Sequence, residues 1–515
     1  MRGETLTQAE REAPAAPKTL RSALAVGLFW NASYQVFSTL LQFGAMLVLV
    51  RVIPPVEYGR AASVVAFLKV LNSASCARFM SQGLQVPGEE EPDWTAHWQV
   101  GLVLQLVLGL VCLLAAAGAW SLPEYRALSP LLALGAVGLC IDAPAQLNLV
   151  MLQRDLNFAR LRLLAACATL LATGTTLGLA FLGLGAFALV LGGNVLLSIP
   201  FGIDLLVVRR WRPKSGWFRK PNWRAYRPAL AFGGQQVLSG FLQAGQAAVT
   251  AGVLPSALGF YAIGLINRAD GLFSSTALRI SGLISETVYP ALPKLLDDEE
   301  RFRRAAGLFV KLLLLVLFPG AAFLVVAGSD LSRVLYGARW IAADPLLGPA
   351  ALAGLALGLT AAGYRVLLAR SHLRACLGLD FLKALCLLPA LCGVLWWREA
   401  EPYLWLLALG GLPPAWAALR MASPSLAPGW LQGTLVPTLL PAATAAAVLA
   451  VVVDDLGHDP FLRLGGAVCI YCAVWLIVLR TLFASTLREL CSRAPGGSLV
   501  QRALFLRGSG EADAH

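Results

Sequence analysis

About fourteen stretches of this chain are apolar for some twenty residues or more, and most of its Arg and Lys cluster in alternate short segments between them. A run of ~20 residues spans the ~30 Å hydrocarbon core of a bilayer as a helix. Lipid offers a backbone amide no partner, so each run must satisfy its own hydrogen bonds. A closed barrel would also do so, but its strands alternate polar and apolar residues, and these runs do not. The expectation is an all-α polytopic membrane protein with spans near 23–51, 58–80, 97–120, 128–152, 160–182, 185–208, 228–253, 257–288, 305–327, 343–368, 374–397, 402–421, 432–454 and 461–483. Composition agrees. The chain is 58% hydrophobic and 14% charged, with a mean hydropathy of +0.70, more apolar surface than a soluble protein of this size needs.

The net charge of +12 would suit a nucleic-acid binder. Here the cations sit in short loops, so they report topology, and no nucleic-acid partner is expected. The loop 209–227 carries Arg209, Arg210, Arg212, Lys214, Arg219, Lys220, Arg224 and Arg227. Arg154, Arg160 and Arg162 follow the fourth run, Lys294, Arg301, Arg303 and Arg304 follow the eighth, and Arg488, Arg493, Arg502 and Arg507 lie near the C-terminus. All fall on one side if both termini are cytoplasmic, which predicts N-in and C-in. Glu89, Glu90 and Glu91 share that side, which is tolerable because acidic residues count little. The other side is poor in cations and has Asp454, Asp455 and Asp459 in its last loop. The first apolar run is too long for a signal peptide, so no cleavable leader is expected. The ten cysteines, Cys469 and Cys472 included, lie almost all within apolar runs and read as packing residues. With four histidines in no ligand-like cluster, neither a metal nor a cofactor is expected.

The first and seventh runs are copies of one another, 201 residues apart. Gln35 aligns with Gln236, Ser38 with Ser239, Gln42 with Gln243, Gly44 with Gly245 and Pro54 with Pro255. An even number of helices separates the copies, so they run in the same direction and are related by an axis along the membrane normal. The echo of Pro130-Leu131-Leu132 in Pro345-Leu346-Leu347 extends the pattern. The expected organisation is a cytoplasmic segment at 1–22, an N-lobe of six helices at 23–208, a basic cytoplasmic linker at 209–227, a C-lobe of six at 228–421, two appended helices at 422–484 and a cytoplasmic tail at 485–515. The two lobes are pseudo-twofold mates around a central cavity.

Four helices carry polar faces at ~100° per residue. The first has Asn31, Gln35, Ser38 and Gln42, and the seventh Gln236, Ser239, Gln243 and, close by, Gln246. The eighth has Arg268, Ser275, Arg279 and Glu286, and the second Lys69, Asn72 and Ser73. The repeat aligns Lys69 with Asp270. Such faces cannot lie against lipid. An Arg or Lys at a helix centre costs about 2.5–3.5 kcal/mol even on a lenient scale. Lys69 and Arg268 sit too deep to snorkel, whereas Arg78, Arg279, Lys311 and Arg365 lie nearer the helix ends. The favoured reading is a hydrated cationic cavity, and its rival a salt bridge of Lys69 or Arg268 with Asp270 that serves packing or gating. Asp380 and Lys383, at i and i+3, are expected to neutralise each other. Asp142 is either a coupling-ion site or a buried hydrogen-bonded acid.

A cationic cavity selects an anion. Arg presents a donor fork that matches phosphate, and amides offer the donor–acceptor pairs that sugar hydroxyls need. The substrate-binding candidates are Lys69, Arg268, Arg279, Arg78, Gln35, Gln42, Gln236, Gln243 and Asn31. Candidates for ion coupling or gating are Asp142, Asp270 and Glu286. Gly and Pro punctuation at Pro54, Pro55, Gly59, Pro255, Gly259, Pro319 and Gly320 supplies bends where a rocking motion would hinge.

Five short motifs then carry a resemblance. They are Arg51-Val52-Ile53-Pro54-Pro55-Val56-Glu57-Tyr58-Gly59, Leu152-Gln153-Arg154-Asp155-Leu156-Asn157-Phe158, Leu258-Gly259-Phe260-Tyr261, Tyr289-Pro290-Ala291-Leu292-Pro293 and Tyr336-Gly337-Ala338-Arg339-Trp340. In this order, over about residues 25–370, they resemble the bacterial polysaccharide flippases of the multidrug/oligosaccharidyl-lipid/polysaccharide exporter superfamily. The rest matches only in hydropathy. The resemblance implies two six-helix lobes, often with two extra helices, around a V-shaped cavity in the bacterial inner membrane. It implies alternating-access translocation of polyprenyl-diphosphate-linked oligosaccharide, for O-antigen, exopolysaccharide or capsule, with no catalytic residue. A polysaccharide polymerase is a candidate partner beside the bilayer itself. Lys69, Arg268 and Arg279 match by position the basic residues such proteins are thought to use for the diphosphate. Three rivals stand. A multidrug exporter would want a carboxylate on the first helix, where this chain has Asn31, Gln35 and Gln42. A peptidoglycan-precursor flippase would share the basic cavity. A membrane polymerase or ligase would carry a large catalytic external loop, whereas the external loops here are short.

Overall fold

The computed structural model describes residues 20–486 and 488, apart from 85, 87–90, 215, 218–222, 225, 427–428 and 458. The expectations for the N-terminal segment before residue 20, for Arg219 and Lys220, and for Arg493, Arg502 and Arg507 fall outside these residues. Every regular element among the described residues is helical. The principal helices are α1 (Leu20–Val52), α2 (Pro55–Asn72), α3 (Trp94–Ser121), α4 (Ser129–Arg154), α5 (Phe158–Phe181), α6 (Gly185–Val208), α7 (Arg227–Gln243), α8 (Leu254–Val288), α9 (Glu299–Tyr336), α10 (Asp344–Ala369), α11 (Leu373–Trp397), α12 (Ala400–Ala422), α13 (Val436–Val452) and α14 (Pro460–Leu482).

Eleven helices are long and apolar enough to cross a membrane, or twelve if the bent pair Gly245–Gly252 and Leu254–Val288 is one span. The two remaining expected spans are helical but interrupted. Helix α2 carries Glu57, Arg60 and Lys69 within 18 residues, and after the turn at Ser73–Ser75 the chain resumes as Cys76–Met80. Helix α7 stops at Gln243 and resumes at Gly245. The repeat is therefore uneven, because α1 runs unbroken through the positions where its copy breaks. Helix α8 then leaves at 95°. Its second turn is broken at Gly259, whose φ of 74° only glycine adopts without strain.

The molecule forms two pseudo-twofold six-helix lobes with two further helices appended. In the first lobe, Val64 and Leu68 of α2 pack with Cys112 of α3, Leu131 and Leu139 of α4 and Val190 of α6. In the second, Phe273 of α8, Phe309, Leu313 and Leu317 of α9, and Ala350 and Ala362 of α10 share a larger core. The periphery exposes Leu106, Leu110 and Leu114 of α3, Leu163 and Leu170 of α5, and Trp396 and Trp397 of α11. Exposed apolar area on this scale marks a lipid-facing surface.

Helices α13 and α14 dock on α9 through Ala327, Ala445, Leu449, Ala467 and Tyr471. The Tyr471 hydroxyl donates to the Pro319 carbonyl at 3.1 Å. Arg463 of α14 donates to buried Asp330 of α9 at 3.1 Å and to Asp454 at 3.0 Å. Removing one partner of a buried ion pair costs about 3–5 kcal/mol, because the other charge is left uncompensated. Arg463→Ala is thus expected to lower the melting temperature in detergent by several degrees, with Arg463→Lys intermediate. An unchanged Tm for the alanine variant would show that Asp330 finds water instead.

The lobes meet along α2. At the end away from the basic linker, Gly59 of α2 lies against Phe260 of α8, and Gly264 of α8 against the Pro55 carbonyl. At the other end the Ser73 hydroxyl donates to the Gly240 carbonyl of α7 at 3.1 Å, and Phe79 packs on Gly233. The linker itself is docked on α3. Trp98, Trp211 and Trp217 form an aromatic cluster, with Trp217 edge-to-face against both others, and the Trp98 indole N–H donates to the Trp217 carbonyl at 3.1 Å. His97 and Tyr226 share a hydrogen bond of 2.6 Å.

Candidate functional site

The charged residues placed deep in the helices converge where the lobes meet. Lys69 of α2 and Asp270 of α8 are both solvent-accessible. Lys69 and Arg268 are the cations whose charge reaches the Asp270 carboxylate, yet neither closes an ion pair with it within 4.0 Å among the described residues. Lys383 of α11 also feels Lys69, and its ammonium stands 3.9 Å from Asp380. Helices α2, α8 and α11 thus bring together three cations and two acids. The direct salt bridge weighed as the rival to a cationic cavity is not formed.

Arg268 crosses from one lobe to the other. Its guanidinium lies 4.1 Å from the centre of the Tyr58 ring on α2, a cation–π contact. One terminal nitrogen donates to the Asn267 side chain at 2.8 Å, while its Nε is buried without a hydrogen-bond partner. Arg268 also lines a cavity of about 270 Å³ whose other polar residues are Gln42 of α1, Tyr58 of α2 and Thr169, Thr173 and Thr176 of α5. Such a charge, short of acceptors and beside a cavity, is set up to receive an anion. Arg279, further along α8, makes only long contacts with α1: Nε to Thr39 at 3.3 Å and a terminal nitrogen to Ser38 at 3.4 Å.

The other expected residues separate. Gln35 and Gln236 are half-buried, and Gln42 is exposed to the Arg268 cavity. Gln243 turns the other way, donating to Ser239 at 3.0 Å and to Asp380 at 3.2 Å. Asn31 accepts a hydrogen bond from Arg162 of α5, in its own lobe. Arg78 is half-buried on the short helix Cys76–Met80, and Glu286 is exposed near the end of α8. Lys69, Arg268, Asp270 and Gln42 therefore form the inner group, with Arg279 beside α1, while Asn31, Gln243, Arg78 and Glu286 lie outside it.

A second polar centre sits inside the first lobe. The Asp142 carboxylate of α4 accepts from Gln105 of α3 at 3.0 Å, from Gln146 at 3.0 and 3.2 Å, and from the Ser198 hydroxyl of α6 at 2.6 Å. Of the two readings of Asp142, this geometry matches the hydrogen-bonded acid. Gln105, Gln146 and Ser198 were not among the sequence candidates. The available signal was Gln105, a lone amide in the apolar run of α3.

Comparisons with known proteins agree with this architecture. A family described as polysaccharide biosynthesis protein matches residues 48–345. An uncharacterized membrane protein in the cps region of Klebsiella pneumoniae is 22% identical over 363 residues, 70% of this chain and 74% of that protein. The teichuronic acid biosynthesis protein TuaB of Bacillus subtilis (strain 168) is 25% identical over 224 residues, 43% of this chain and 45% of its own length. Among solved structures, the lipid II flippase MurJ in an inward closed conformation superposes with a TM-score of 0.67 at 15% identity, covering 89% of this chain and 99% of that one. An inward-facing multidrug resistance MATE family transporter of the MOP superfamily gives 0.56 at 13% identity, covering 75% and 95%. At these identities the structural likenesses show a shared fold.

Proposed function

Since the chain belongs to the polysaccharide biosynthesis protein family, as a multi-pass membrane protein with a transporter fold, we propose that it moves polyprenyl-diphosphate-linked oligosaccharide across the bacterial inner membrane by alternating access. The observation that carries this reading is Arg268. A half-buried guanidinium whose Nε is buried without a partner, beside a cavity and sharing Asp270 with Lys69 of the other lobe, is costly to maintain. An anionic head group held between the lobes repays that cost.

Asp270 serves as the internal counter-charge. With the site empty it offsets part of the field of Lys69 and Arg268. A diphosphate arriving between them takes over both cations and frees Asp270, which couples occupancy to the lobe contact. Coupling of the cycle to an ion runs through Asp270 or the exposed Glu286, while Asp142 is held by three donors. The basic linker lies on the cytoplasmic side with both termini, so the head group enters past Arg78 and Arg279, and the prenyl tail stays in lipid. Six-helix lobes end to end, with the appended helices from about 422, are the moving units. Nothing covalent happens, and the chain is a transporter rather than an enzyme. A cationic drug is a poor substrate here, because Asp142 and Asp380 are held by internal donors and Asp270 lies in the field of Lys69 and Arg268.

The test is reconstitution. Proteoliposomes carrying the purified chain and a fluorescent polyprenyl-diphosphate-linked sugar should let an external, membrane-impermeant glycosidase reach the inner-leaflet pool within minutes, while empty liposomes should not. Equal protection in both would reject transport of this substrate class.

A further inference from the structure

The first lobe contains a second cavity, of about 310 Å³, between α2, α4 and α6. That is the lower edge of the ~300–1,000 Å³ range of small-molecule sites. It shares Gly193 and Leu197 of α6 with the cavity that Arg268 lines, so the two are neighbours on that helix. Its polar wall is Asn72, Ser75, Asp142, Gln146, Asn194 and Ser198, and no Lys or Arg lines it among the described residues. We infer that this cavity is a neutral-sugar subsite, in which the amides of Asn72, Gln146 and Asn194 receive the first sugar ring of a diphosphate-linked glycan. This rests on the transport reading above and adds where the glycan goes.

The hydrogen bonds decide the ligand class. Each oxygen of Asp142 already accepts two protein hydrogen bonds, from Gln146 and Ser198 on one and from Gln105 and Gln146 on the other. A metal ion would have to displace the N–H and O–H groups that point at the same lone pairs. A phosphate would meet a carboxylate with no cation on the wall. A sugar meets neither obstacle. Asp142 acts as a positioning residue, since its charge-assisted bonds fix the Gln146 amide and leave the carbonyl end free to accept from a hydroxyl. The Asn194 amide makes only a long bond to the Val190 carbonyl, at 3.3 Å. It lies on the π-helical turn Leu191–Val195 of α6, a local irregularity often found at functional sites. A Cβ built on neighbouring Gly193 meets nothing within 4 Å, so the floor is open to a ring.

The placement also fits the covalent geometry of the substrate. Lys69 and Asn72 are exposed three residues apart on α2, a rise of ~4.5 Å on one helix face. A sugar bonded directly to a diphosphate has its ring about that far from the charged oxygens. Anion at Lys69 and Arg268 with ring at Asn72 and Asn194 gives the substrate one polarity in the site.

The experiment compares farnesyl diphosphate with farnesyl-diphosphate-linked glucose, galactose and N-acetylglucosamine, titrated calorimetrically into the purified full chain in nanodiscs. At least one sugar is expected to tighten binding about tenfold, the worth of one or two net hydrogen bonds. Asn72→Ala and Asn194→Ala should each remove most of that gain and leave the affinity for plain farnesyl diphosphate unchanged, whereas Lys69→Ala should weaken all the ligands alike. If no sugar tightens binding, or the gain survives both asparagine variants, the subsite is overturned and the transport reading stands. If neither plain nor sugar-bearing diphosphate binds, both fall. Asn72 is exposed, so its alanine variant carries little folding risk, and with the wild-type comparison it decides the case if Asn194→Ala is unstable.

Discussion

Alanine at Gly59 or at Gly264 is expected to reduce transport more than tenfold while leaving the protein folded and inserted. Helices α2 and α8 touch backbone to backbone here. A Cβ on Gly59 would fall on the Phe260 carbonyl oxygen, and a Cβ on Gly264 on that of Pro55. Neither obstacle is a side chain that can turn away, so one methyl group must separate the lobes at this end. Intrinsic propensity works in the opposite direction, because alanine favours helix over glycine by about 0.8–1.0 kcal/mol. A loss of transport would therefore not reflect a weakened helix. Gly271 and Gly282 on α8 supply the control, since a Cβ at either meets nothing within 4 Å and alanine there should be neutral. Spin labels at exposed Val65 and Tyr261 should report a wider α2–α8 separation in the Gly59 and Gly264 variants. Wild-type flipping by Gly264→Ala would exclude closure of this contact from the cycle.

That contact also shows what the sequence could and could not reveal. The all-helical membrane class, the paired lobes and the lipid-facing rim follow from long apolar runs and one repeat, because bilayer thickness and backbone hydrogen bonding leave few alternatives; the expected fourteen spans compare with eleven or twelve that pass on length and composition. The breaks in α2 and α7 were hidden, because Ser73, Ala74, Ser75 and Ala244 are all compatible with continued helix. Lys69 and Arg268 stood out through the cost of burying charge. Their neighbours were less legible. Asn31 and Gln42 share a face of α1, but Arg162 of α5 takes the first, while the second opens to the Arg268 cavity. Gln243, the repeat partner of Gln42, is turned to Asp380 by the local packing of α7 on α11. Asp142 meets Gln105 and Ser198, 37 and 56 residues away, separations that no helical periodicity encodes.

Arg268→Ala should abolish transport and leave stability equal to or above wild type. The guanidinium stacks on Tyr58 and keeps its Nε unpartnered inside the lobe contact, so removing it deletes a half-buried charge that is only partly satisfied. Exchanging buried ionic groups for apolar ones is often neutral or stabilising. The loss of function follows from the ligand side. Hydrogen bonds to charged groups are worth about 1.5–3 kcal/mol each, and a guanidinium makes two to a phosphate. Even the lower figure for two bonds is about 3 kcal/mol, more than a hundredfold. Arg268→Lys should recover little of this, because an ammonium has neither the planar stack nor the fork. Lys69→Ala alone should cost about tenfold. The double variant should cost less than the sum of the two free energies, since both side chains act on one anion. Tyr58→Phe keeps the ring and should be nearly silent. The measurements are surface polysaccharide in a complemented transporter-null strain and thermal melting of each purified variant. A parallel fall of Tm and transport in Arg268→Ala would identify the arginine as a strut between the lobes instead of a ligand for diphosphate.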